Sequence, residues 1–326
     1  MRFAATWYGA GADIRNAAYD AGLAGRRRAS VPVISVGGLT IGGSGKTPVA
    51  AEIGGWLSGA GFRVAMVTHG YNDELAVHRA LNPEVPVFGT RDRTSGVQAS
   101  ARAGAEIAVV DSGFQHRRLH RDIEILALDT CSLQHTVRRR LPAGAFRERL
   151  SEGQRAGAVI LVDRPAAGCD LVALTRELGR VFPAAAIHAV RLVADRCVPA
   201  NAEAASRSEL SPKLAVAGVM WPDLFFREVA VILGRSPERL TLPDHARFDR
   251  AVVSRIRRLA GREGVICTLK DAVKLAGVDG PGLDLPFPVW YVAERLEWIP
   301  EPPALRASLA RACARLCRGE LVEPGS

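Results

Sequence analysis

Short apolar runs alternate with stretches whose apolar positions recur at helical spacing. Residues 31–36, 64–67, 107–110, 123–128 and 159–162 are runs of strand length, and Val49, Ile53, Trp56 and Leu57 fall on one side of a helix after the first of them. The pattern blurs over residues 165–212, where Ala, Arg and Pro are dense. It resumes with a strand-like run at 214–217, a helical stretch through Phe225 and Phe226, and a run at 265–268. Val252, Ile256 and Leu259 line one face of a helix whose other face carries Arg255, Arg257 and Arg258. Strands alternating with helices predict an α/β fold: a mostly parallel sheet flanked by helices, with a second, smaller α/β domain. The expected boundaries are an N-terminal region at 1–28, a main domain at 29–200 and the smaller one at 201–326.

The first of these regions carries Phe3, Trp7, Tyr8, Ile14 and Tyr19 among Ala, Gly and Arg, and ends at Arg26, Arg27 and Arg28. It reads as an amphipathic helix, either docked on the main domain or lying at a lipid surface with the basic triplet near acidic headgroups. No run reaches the roughly 18 apolar residues of a membrane span. Asp13, Arg15 and Asp20 interrupt any secretory leader pattern.

The formal charge of +9 favours an anionic partner: a nucleotide, nucleic acid or an acidic membrane surface. Aromatic residues are too sparse to interleave with the basic ones, so no nucleic acid is expected. The six cysteines, at 131, 169, 197, 267, 313 and 317, show no zinc-site spacing. They read as reduced, mostly core residues of a cytoplasmic protein.

Candidate chemistry begins after the first strand. Thr40, Ile41, Gly42, Gly43, Ser44, Gly45, Lys46 and Thr47 stand between an apolar run and a helical pattern, the context of a phosphate-binding loop. Glycines allow backbone N–H groups to turn around phosphate oxygens, Lys46 reaches the β- and γ-phosphates, and Thr47 offers a hydroxyl to Mg²⁺. The strict pattern has Gly where Thr40 stands, and a glycine-rich turn without a ligand is the alternative. The fold expectation then sharpens to a P-loop NTPase-like one. Asp111 follows four apolar residues and is the candidate metal carboxylate; an ordinary strand-ending Asp is its alternative. Gln115 and His116 crowd the same edge and are further candidates.

With these residues quoted, the chain resembles the tetraacyldisaccharide 4'-kinases of lipid A biosynthesis. The likeness lies in Trp7-Tyr8-Gly9 with Arg15, Tyr19 and Gly22, in residues 31–48, and in Asp111-Ser112-Gly113-Phe114-Gln115-His116 with Leu119 and Arg121-Asp122. It continues through Leu141-Pro142-Ala143-Gly144-Ala145-Phe146-Arg147-Glu148, Pro243-Asp244-His245 and residues 268–275. The resemblance implies ATP- and Mg²⁺-dependent phosphorylation of the 4'-hydroxyl of an acylated glucosamine disaccharide 1-phosphate. It places that work at the cytoplasmic face of the inner membrane. It also implies a catalytic pair, carried over as Asp73 and His245, and a contact from Glu148 to the metal or its waters. The chain departs from the family pattern at Ser112 (the second Asp of a doublet), His69 (an Arg), Trp221 (an Arg) and Leu269 (a Glu), and the loop before Asp73 is short. Two other functions fit a phosphate loop: a nucleotide-dependent switch, and a relative that binds nucleotide or glycolipid without efficient turnover.

Overall fold

The computed structural model describes residues 2–134, 136, 138–244, 246–277, 283, 285–300 and 303–320, with the side chains of residues 2–6 left aside. Contacts divide the chain into two units. The first holds Met1–Tyr71, Leu81–Leu192 and Leu296–Ser326; the second holds Asn72–Ala80 and Val193–Arg295.

The strands of the first unit are β1 (Val33–Gly37), β2 (Val64–Thr68), β3 (Val87–Gly89), β4 (Ile107–Asp111), β5 (Ile123–Asp129), β6 (Ala158–Asp163) and the part of β7 (Ala186–Pro199) up to Leu192. They pair in the order β3-β2-β4-β1-β5-β6-β7, every pair parallel. Alternate residues serve opposite faces. Ile34, Met66, Val109, Ile125 and Ile160 pack with Val49, Ile53 and Leu57 of the helix Lys46–Gly59 and with Leu305 and Leu309 of the helix Pro303–Cys317. On the other face, Leu126, Leu128, Val159 and Leu161 pack with Phe114, Phe146 and the Leu174–Leu178 side of the helix Leu171–Val181. Both faces are dry, which is why these strands read as near-continuous apolar runs.

The second unit contains β8 (Leu214–Ala217), β9 (Glu238–Thr241), β10 (Val265–Thr268) and β11 (Val289–Ile299, through Arg295), in the parallel order β11-β10-β8-β9. Leu214, Val216, Val265 and Cys267 meet Ile256 and Ala260 of the helix Arg250–Ala260; Ala215, Ala217 and Ile266 meet Phe225, Phe226 and Val229 of the helix Pro222–Leu233.

Several helices start at a side-chain cap. Asp92, Asp170, Asp249 and Thr268 each accept an amide of the first turn. The helix after β1 differs: its cap is Gly45, at φ 69°, and no side chain satisfies its first N–H groups. A helix start left open in this way offers donors and a partial positive charge to an anion.

Candidate active site

Parallel pairing brings the chemistry to one edge of the first unit. β1 and β4 are neighbours with Val36 opposite Asp111, so the turn leaving β1 and the carboxylate ending β4 meet at the same end. Thr47 Oγ1 donates to Asp111 Oδ2 at 2.8 Å, and Ser112 Oγ donates to Asp111 Oδ1 at 3.1 Å. Asp111 is buried, with both oxygens oriented.

The turn itself has the geometry its glycines allow. Gly42, Gly43 and Gly45 all have φ between 59° and 69°, the left-handed region where a Cβ is strained. Position 40 is not among the positive-φ residues, so Thr40 fits without strain; it is buried and bridges antiparallel to Phe146. A Cβ on Gly38 would stand 2.9 Å from Ser44 Oγ and 3.2 Å from Lys46 Cδ. Lys46 Nζ donates to Ser44 Oγ at 2.6 Å, so in this state the ammonium lies along its own loop.

Two other segments buttress the turn. Gln115 Nε2 donates to Gly38 O at 2.9 Å. The Leu141–Glu148 segment runs alongside, with Ile41 N donating to Ala145 O (2.9 Å) and Arg147 N to Leu39 O (2.7 Å). Its Glu148 is 1% exposed and takes bonds from Arg15 Nη2 (3.3 Å) on Oε1, and from Asn16 Nδ2 (3.1 Å) and Arg155 Nη2 (2.8 Å) on Oε2. The carboxylate is thus engaged with the helix Arg2–Asp20 and with Arg155, and none of its described bonds goes to Thr47 or Asp111. His116 sits 3.6 Å from Asp92 Oδ1, the cap of the helix Arg93–Arg102. Burial, aided by the Arg93 charge, holds its imidazole below the ordinary value despite Asp92. Asp73 opens the helix Asn72–Leu81 in the second unit, where its Oδ1 accepts Glu74 N at 3.1 Å. His245 lies outside the described residues; its neighbour Asp244 accepts Lys270 Nζ at 2.6 Å.

Two carboxylates went unremarked in the sequence. Asp129 and Asp163 end β5 and β6 at the same edge, both buried. Thr130 Oγ1 donates to Asp163 (3.0 Å) and Ser132 N to Asp129 (2.8 Å), and burial raises the Asp129 carboxyl against the pull of Ser132, Arg164 and Lys46. The signal was available: each closes an apolar run as Asp111 does.

Among the described residues no three His, Cys, Asp or Glu side chains gather into a metal cage. The Thr47 hydroxyl and Asp111 carboxylate are hard oxygen donors, few in number. That donor set suits Mg²⁺, which binds through one or two protein oxygens and keeps waters and phosphate oxygens for the rest.

A family model for tetraacyldisaccharide-1-P 4'-kinase matches residues 1–84 and 73–314. Curated relatives named tetraacyldisaccharide 4'-kinase include one from Geobacter metallireducens, 34% identical over 305 residues (81% of this chain, 85% of the relative). Another, from Halorhodospira halophila, is 33% identical over 312 residues, covering 90% of this chain and 87% of the relative. A solved structure of LpxK from Aquifex aeolicus in complex with ATP superposes with a TM-score of 0.68 at 26% identity, covering 94% of this chain and 96% of the other. The phosphate loop, the Asp111 strand end and this breadth of likeness agree: the chain belongs to the tetraacyldisaccharide 4'-kinase family.

Proposed function

We propose that this chain transfers the terminal phosphoryl group of ATP to the 4'-hydroxyl of a tetraacyl glucosamine disaccharide 1-phosphate, with Mg²⁺, in lipid A biosynthesis. The observation that carries the reading is the Thr47–Asp111 bond beside three left-handed glycines, since it joins a phosphate cradle to a metal carboxylate. In the reaction the 4'-oxygen attacks the γ-phosphorus, the bond to the β,γ-bridging oxygen breaks, and ADP leaves. The amides of residues 42–47 and Lys46 hold the phosphates, with Lys46 leaving Ser44 for the β,γ-oxygens. Thr47 and Asp111 are the residues that would hold Mg²⁺, which would supply charge neutralisation for the phosphates. Gln115 steadies the turn through Gly38. We assign the hydroxyl proton to Asp73, oriented by His245, on the family resemblance; Asp73→Asn then lowers the turnover number with little change in the apparent affinity for ATP.

The N-terminal helix supports a membrane-surface location. No described helix is long and apolar enough to cross a membrane. Yet Trp7 is 78% exposed and Ile14 71%, with Leu23 exposed just beyond the helix, while Asp13, Arg15, Asn16 and Asp20 of the helix are bound to the unit beneath. Such an outward apolar side fits the interfacial zone of a bilayer, and we place the chain peripherally at the cytoplasmic face of the inner membrane.

The deciding experiment incubates purified protein with γ-labelled ATP and the disaccharide 1-phosphate in detergent. Label enters the lipid with wild type and falls at least about a hundredfold with Lys46→Ala, since a charged contact to the transferred group is lost. ATP hydrolysis indifferent to lipid, with no label transferred, would favour a nucleotide switch instead.

A further inference from the structure

We propose that Arg155 is a positioning residue for phosphoryl transfer: its guanidinium, fixed between Glu148 and Glu152, grips Phe114 by carbonyl and ring and so sets the loop that carries Asp111 and Gln115. The assignment rests on the function proposed above. Arg155 ends the short helical turn Leu150–Arg155, just before β6 begins. Gly153 lets that turn lie against the core, since a Cβ there would stand 2.6 Å from Phe182 Cε1 and 2.7 Å from Leu126 Cδ2. The base of the Arg155 side chain is therefore anchored on the first unit.

Its head is anchored as well. Nη2 donates to Glu148 Oε2 at 2.8 Å, and Nη1 donates to Glu152 O at 2.7 Å, with Glu152 Oε2 3.4 Å away. Both carboxylates are themselves held by Asn16 Nδ2, at 3.1 and 2.8 Å, and Glu148 by Arg15 in addition. Two cations and two anions balance, so the cluster serves to fix a plane. That plane meets Phe114 twice: Nη2 also donates to Phe114 O at 3.2 Å, and Cζ lies 3.6 Å from the ring centre. A lysine has neither the fork nor the flat face to make both contacts.

Phe114 passes this hold to the site in both directions. It is fully buried, and its backbone lies on the last residue of β1: a Cβ on Gly37 would stand 2.3 Å from Phe114 Cβ and 2.7 Å from Phe114 N. The next residue, Gln115, donates to Gly38 O, where the phosphate loop departs. Three residues before Phe114, Asp111 accepts the Thr47 and Ser112 hydroxyls. The chain between is turned by Ser112 at φ 59° and carries two bonds, Ser112 N to Val36 O and His116 N to Gly113 O, both 2.8 Å. A strained turn keeps its shape only while its surroundings enforce it, and Arg155 supplies a side-chain hold at Phe114.

The test pairs two readouts on the full chain: hydrogen exchange without nucleotide, and binding of a fluorescent ATP analogue titrated with Mg²⁺. Arg155→Lys keeps the charge opposite Glu148 but loses the flat face. Exchange at the Ser112 and His116 amides is expected to quicken about tenfold with β4 unchanged. The Mg²⁺ concentration for half-maximal analogue binding is expected to rise about tenfold, the scale of one charge-assisted bond. Binding without Mg²⁺ should hold, because the Leu141–Glu148 segment also braces the phosphate loop. Phe114→Leu, which removes the ring but not the carbonyl, is expected to raise the Mg²⁺ requirement too, and adding it to Arg155→Lys to raise it no further. Unchanged exchange in Arg155→Lys overturns the brace, and quickened exchange with an unchanged Mg²⁺ requirement reduces Arg155 to a structural role. Additive effects in the double variant would also sink the assignment. A wild type whose analogue binding ignores Mg²⁺ would instead overturn the function reading, while the exchange readout still decides the brace.

Discussion

Single oxygen atoms set the geometry of Asp111 in the candidate site. Thr47 and Ser112 each donate to a different oxygen of Asp111, at 2.8 and 3.1 Å, so the carboxylate is preset before any ligand arrives. Removing the Thr47 hydroxyl takes away that bond and, on the proposed function, a metal donor. Thr47→Val is expected to lower phosphoryl transfer by at least about tenfold, the scale of a charge-assisted bond, while Thr47→Ser keeps most of the activity; a Mg²⁺ titration of the labelled-lipid assay checks this. Ser112 poses the opposite case. It is the only non-glycine with positive φ among the described residues, at 59°, and a Cβ there costs about 1–2 kcal/mol. Ser112→Gly therefore removes strain and orientation together. Its melting temperature is expected to hold or rise while the Mg²⁺ concentration for half-maximal rate goes up, and a lower melting temperature with unchanged Mg²⁺ demand would refute that account.

Elements, more than side chains, put the site where it is. The phosphate loop works because β1 lies beside β4 and because the helix Lys46–Gly59 starts at a glycine. A Cβ on Gly45 would stand 2.7 Å from Val162 Cγ1 on β6 in addition to its left-handed φ. Gly45→Ala is thus expected to lose about 2 kcal/mol or more of stability from strain and overpacking, and adding Val162→Ala to recover only the packing part. Denaturant melts of the two variants measure the split, and full recovery would show that φ strain is absent. The buried central strands were legible because both their faces are dry: the runs at 31–36, 64–67, 107–110, 123–128 and 159–162 became β1, β2, β4, β5 and β6. β3 was missed, being three residues long and only partly buried. β7 was missed because its buried, partly buried and exposed positions follow no simple period. Spacing alone singled out Lys46, Thr47 and Asp111 as candidates, and the fold places them at one edge. What spacing could not reveal was the partner of each polar group: that Gln115 reaches Gly38, that Phe146 bridges Thr40, or that Glu148 is enclosed by Arg15, Asn16 and Arg155. Those pairings arise from segments brought together by the fold, and no local pattern encodes them.

At the scale of the molecule, the helix Arg2–Asp20 is joined to its unit inside out. Its polar groups tie it down: Asp13 pairs with Arg140 (2.7 Å) and Arg149 (3.0 Å), buried Asn16 donates to Glu148 and Glu152, and Asp20, from the exposed edge, pairs with Arg117. Gly9 O takes a further bond from Arg140 at 2.8 Å. Trp7, Tyr8 and Ile14 are left on the outside. A helix that only had to dock on a protein core would bury its apolar side, so the inverted arrangement is accounted for by a second apolar phase. Replacing Trp7 and Ile14 by Ser then removes apolar burial in that phase without touching the bonds beneath. Partition onto vesicles with anionic lipid is expected to fall by about 2 kcal/mol or more, roughly thirtyfold. ATP affinity should stay the same, because the phosphate loop is untouched. Glu148→Gln separates the two roles of the helix from the other direction. It weakens the links to Arg15 and Arg155 while leaving the outward side chains intact, so limited proteolysis after the helix should speed up even where vesicle binding persists. Equal vesicle binding by wild type and the Trp7, Ile14 double variant would mean that the exposed aromatics face water in the working enzyme, and the membrane-surface placement would have to be abandoned.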